Sequence, residues 1–161
     1  MKKGESRFFL NWQMSKETSS ELCLAKKESD RRAICNDWLM QQNLFQMCEH
    51  LSDSRAKAII EQYTHLNCDF AIKQKFSEKK LACFMEVMLY VLKMLLQERP
   101  NEESLYESFK DLLLRHAIQR PPVSLAIFNL ADVKAIDLFV QDTFFKHFDM
   151  YFYALTVKDV L

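Results

Sequence analysis

The sequence predicts a mainly α-helical single domain, a bundle of about five helices. Three observations lead there. The chain has one Gly and three Pro in 161 residues, too few turn residues for an all-β fold. Hydrophobic residues make up 49%, enough for a single core at this length. Apolar positions recur at three- and four-residue spacing along most of the chain.

Residues 1–30 are polar and mixed in charge, with Phe8, Phe9 and Trp12 as an isolated apolar patch. They are expected to form a flexible N-terminal segment, or a short motif that docks on a partner or back on the domain. The domain is expected to span 31–161. From about Asp30 to Cys48, Ile34, Trp38, Leu39, Phe45 and Cys48 predict a helix. Ser52 is read as an N-cap, followed by Arg55 to Tyr63 with Ala56, Ile59, Ile60 and Tyr63 on one face. The Asn67-Cys68-Asp69 cluster is expected to break the pattern.

Ser77 is the expected cap of a helix over about 78–98. That helix is apolar nearly all round, with Lys79, Glu86, Lys93 and Gln97 on one thin wet stripe. Such a helix sits at the centre of a bundle. Its most apolar stretch, Leu81 to Leu96, is shorter than the roughly 18 residues a membrane span needs and carries Glu86 and Lys93. Pro100 stops it. Asn101 caps the next, about 102–118, with Glu102 and Glu103 in its first turn and Leu105, Phe109, Leu112, Leu113 and Ile118 inward. Pro121-Pro122 ends it. Residues 123–128 read as a short extended segment. Asn129 caps a helix at about 130–147 with stripe Val133, Ile136, Val140 and Phe144. Residues 150–157, aromatic and β-branched, read as a second extended segment.

The chemistry-bearing residues form no catalytic pattern. The one Gly, at position 4, excludes the usual phosphate-cradling loops. His50, His65, His116 and His147 are far apart, and no Ser sits in an elbow motif. The five cysteines lack CxxC or zinc spacing and read as reduced thiols. Glu102-Glu103 suits a helix start better than an acid/base pair. The methionines fit the core better than an adaptable surface. Net charge is zero, so neither nucleic acid nor a membrane surface is favoured as a partner. No signal peptide is evident at the start. No enzyme activity, cofactor, metal or small-molecule substrate is expected.

The C-terminal third is the strongest candidate for recognition. Between Phe128 and Tyr153 stand nine aromatic or His residues. Arg115, His116 and Arg120 gather before Pro121 and Pro122, where they either offset a helix end, anchor the turn, or clamp a partner's acidic group. With Phe128, Phe144, Phe148, Tyr151 and Phe152 they make up the candidate interaction or structural motif.

These residues carry a resemblance. Leu112 to Pro122 (LLLRHAIQRPP), Ile127 to Val133 (IFNLADV) and Thr143 to Phe148 (TFFKHF) resemble the CLAMP-domain proteins, small subunits of a projection on the central microtubule pair of motile cilia and flagella. The resemblance is strongest over about 105–153 and does not cover the first 30 residues. It implies a non-enzymatic helical subunit of the axoneme, in cytoplasm and cytoskeleton. The implied partners are a very large scaffold protein, other small projection subunits and calmodulin, and the projection influences ciliary beating. The rival reading is a helical effector of a small GTPase in ciliary traffic.

Overall fold

The computed structural model describes residues 14–42, 44, 55–117 and 127–156. They form seven α-helices and one 3-10 turn: α1 (Lys16–Leu24), α2 (Glu28–Met40), α3 (Arg55–Lys73), α4 (Glu78–Glu98), α5 (Glu102–Arg115), α6 (Leu130–Thr143), the turn Phe145–His147, and α7 (Phe148–Thr156). The mainly α expectation holds, with no strand among the described residues.

Helix α4 is the axis of the bundle. It packs against α3, α1, α5 and α7, and every residue from Leu81 to Leu89 is buried. Tyr63 of α3 donates its hydroxyl to the Met88 carbonyl of α4 at 2.6 Å, a polar link between the two most extensively packed helices. The expected caps are in place. Ser77 Oγ accepts from Lys80 N at 3.3 Å, and Asn101 Oδ1 accepts from Ser104 N at 2.8 Å. At Asn129 a full capping box forms, with Asp132 returning a bond to the Asn129 N–H.

With so little glycine, charged residues take the left-handed helix ends. Lys75 (φ 59) follows α3, where Phe76 N bonds Ala71 O and Lys75 N bonds Ile72 O, the paired bonds of a Schellman motif. Arg99 (φ 47) closes α4 before Pro100.

Several expectations need correction. The break at 67–69 does not occur: α3 runs through to Lys73, because Asn67 and Cys68 face inward and packing overrides their turn tendency. The segment at 150–157 is not extended; 150–156 belong to α7, since Phe148, Tyr151, Phe152 and Leu155 fall on one helical face that packs on α3 and α4. The helix expected over 130–147 ends at Thr143 and passes into the 3-10 turn. The stripe along α4 is not wholly wet: Glu86 is only 3% exposed, because α1 lies against α4. That helix falls where a flexible segment was expected. Ser15 caps it, and Met14 and Leu22 bury themselves in the core. Residues 1–13, Ser52 and most of 123–128 lie outside the described residues.

Candidate interaction site

The turn after α5 sorts its two basic residues. His116 points inward and is 9% exposed. Its Nδ1–H donates to the Leu112 carbonyl at 2.9 Å. Its own carbonyl accepts from Ile127 N at 2.7 Å and Phe128 N at 3.2 Å, so one oxygen holds both ends of the connection between α5 and α6. Arg115 points outward and bonds Asp111 Oδ2, one turn back, at 2.9 Å. Arg120, Pro121 and Pro122 lie outside the described residues.

Burial pulls the His116 imidazole below its ordinary pKa, the Leu112 bond opposing this. His65 is pulled down too, by burial and then by nearby Arg32. A base held neutral in the fold takes up protons more readily when unfolded. Stability from this source is therefore present above about pH 6.5 and lost as pH falls below it. His116→Asn, which keeps a donor near Leu112, should flatten part of that acid limb. Urea midpoints at about pH 5 and 7 measure it; a wild-type slope retained in the variant would remove His116 as its source.

The aromatic residues of the tail lie mostly in the core. Phe128 and Phe144 are each 1% exposed, Tyr151 6% and Phe148 7%; Phe152 is half-buried. They do not converge on one spot. Phe128 stands beside Phe76 at 6.2 Å, in a cluster with Phe70, Phe84 and Phe139. Phe144 contacts Tyr151 at 4.9 Å, Phe145 at 5.0 Å and Tyr63 at 5.6 Å, and Phe148 reaches Phe152 at 5.7 Å. What the tail presents outward is Met150 and Tyr153, 52% and 65% exposed on the opposite side of α7. The sequence reading missed this pair by treating 150–157 as extended. A helical reading, with Phe148, Tyr151 and Leu155 inward, finds it.

A polar network joins α5 to α6. Tyr106 donates to Asp137 at 2.8 Å, Gln141 donates to both, and Lys110 lies 3.7 Å from Asp137. Burial, then the Asp137 carboxylate, push the Tyr106 phenol up to about 12. Tyr106 and Gln141, with Glu102, Glu103, Phe145 and Lys146, line a shallow groove of about 380 Å³. Tyr106, Asp137 and Gln141 satisfy one another, an arrangement suited to holding helices together. Among the described residues, no three His, Cys, Asp or Glu side chains are grouped to hold a metal ion. No described helix is long and apolar enough to cross a membrane.

Residues 67–161 match the CLAMP family model, whose description is flagellar C1a complex subunit C1a-32. The match begins within the second half of α3 and takes in α4 to α7, with both aromatic clusters except Tyr63. Spanning more than half of the sequence, it shows that this chain belongs to the CLAMP family of flagellar C1a complex subunits.

Proposed function

We propose that the chain is a non-enzymatic assembly subunit of this central-apparatus projection, binding a large scaffold protein alongside other small subunits and calmodulin, and helping to regulate beating. A C1a complex subunit resides in the axoneme of the cilium or flagellum. The observation that carries the reading is the family match over the helices that build the core. The geometry is consistent with it: described aromatics largely serve packing, giving a firm helical block, while apolar side chains such as Leu130, Leu138, Met150 and Tyr153 stay outside. The outward side of α7, Met150 and Tyr153, is the contact the tail offers a partner helix.

Detergent extraction of motile cilia tests the assignment. The protein is expected to stay with the microtubules and to leave with central-pair components in high salt. Release by detergent alone would count against it, and nucleotide-dependent capture by a small GTPase would favour an effector. Met150→Ser with Tyr153→Ser tests the surface. Stability should stay within about 0.5 kcal/mol per site, as for exposed substitutions in general. Retention in the axoneme should fall. Full retention would exclude this face.

A further inference from the structure

A mostly apolar groove of about 540 Å³ opens between α1 and the first turns of α4. Met14, Ser19 and Ala82 line it, with Lys16, Glu78 and Lys79 at its edges. Its volume lies within the range of about 300–1,000 Å³ typical of sites that enclose small apolar ligands.

The chain enters the described fold at this groove. Met14 is 1% exposed, and its backbone N–H donates to the Glu86 carboxyl of α4. That bond fixes where the preceding residues start. Within residues 1–13 stand Phe8, Phe9, Leu10 and Trp12, the most apolar run of the first 30 residues. Trp12 is two residues from Met14 and Phe8 six, spans of at most about 7 and 21 Å for extended chain. All four side chains are within tether reach of the groove. A segment held this closely has an effective concentration on the order of millimolar, which an external occupant must outcompete.

We propose that Phe8–Trp12 folds back as an intramolecular strap and fills the groove between α1 and α4. The occupant is this chain's own N-terminal segment, in preference to a second copy or another protein.

Fluorescence and photo-cross-linking of the full chain test this. The chain has two tryptophans, and Trp38 is 2% exposed, so the spectrum of wild type minus Trp12→Phe reports Trp12 alone. In dilute monomer the Trp12 emission should be blue-shifted and shielded severalfold from acrylamide, independent of protein concentration. Phe8→Ser with Phe9→Ser should abolish the shielding. A benzoylphenylalanine placed at position 9 should cross-link within the same chain to residues 77–82. Solvent-like Trp12 emission would overturn the strap. So would shielding that grows with concentration or survives the double variant, or cross-links elsewhere or between chains.

Discussion

Phe144→Ala together with Phe148→Ala should leave the domain largely unfolded. Phe144 is 1% exposed and touches Tyr63 of α3 and Tyr151 of α7, while Phe148 packs on Phe144 and Phe152. Truncating one buried Phe costs about 3–5 kcal/mol through lost transfer energy and the cavity left behind. Their rings lie 6.4 Å apart, so the two losses will not simply add. Even a sum of about 6 kcal/mol reaches the lower part of the 5–15 kcal/mol that stabilises a typical domain. Thermal melts followed by far-ultraviolet circular dichroism should lose their cooperative transition. Phe148→Ala alone, at a 7%-exposed site, should fold with a lower midpoint. Unchanged melting of the double variant would refute the burial of these rings.

Glu86→Leu should stabilise the protein increasingly as pH rises. The carboxyl is buried under α1, and Oε1 has no hydrogen-bond partner. Burial raises its pKa to about 7, against the pull of Lys93 and the Met14 N–H. The unfolded chain therefore releases this proton first, starting near the ordinary value of 4.5. The stabilising contribution is complete below about 4.5, declines above it, and is lost as pH rises through about 7. At roughly 1.4 kcal/mol per pKa unit, the ionised group costs up to about 3 kcal/mol. Leu fills similar space without a charge to desolvate. The two histidines act with opposite sign below about pH 6.5. The useful quantity is thus the gap between variant and wild-type denaturant midpoints, which should widen from about pH 5 to 8. A constant gap would show that Glu86 does not titrate in this range.

The C-terminal two-thirds of the fold was legible because its signals are local. Ser77, Asn101 and Asn129 each satisfy an N–H three residues on, and Pro100 stops a helix wherever it stands in one. The errors arose where tertiary contact decides. Helix α1 has little amphipathic pattern of its own and is held by Met14 and Leu22 entering a core built by later residues. Missing that helix made Glu86 look wet, so the two misreadings have one cause. In α7, aromatic and β-branched composition spoke for an extended segment, but the three- and four-residue spacing of Phe148, Tyr151, Phe152 and Leu155 decided for helix. Of the candidate motif, the sequence identified the residues, but not that the rings face inward while Met150 and Tyr153 face out. That follows once 148–156 are read as a helix, whose inward face packs on α3 and α4.

The His116 carbonyl, accepting from both Ile127 and Phe128, makes the span between these points a modular insert. The ends are clasped at one oxygen whatever lies between them. Loop-closure entropy grows slowly, by about 0.6 kcal/mol for each doubling of length. A change in the length of this connection is therefore expected to cost the helical frame little. The same clasp makes it a suitable position to graft an epitope or fluorescent reporter for locating the subunit in a beating axoneme.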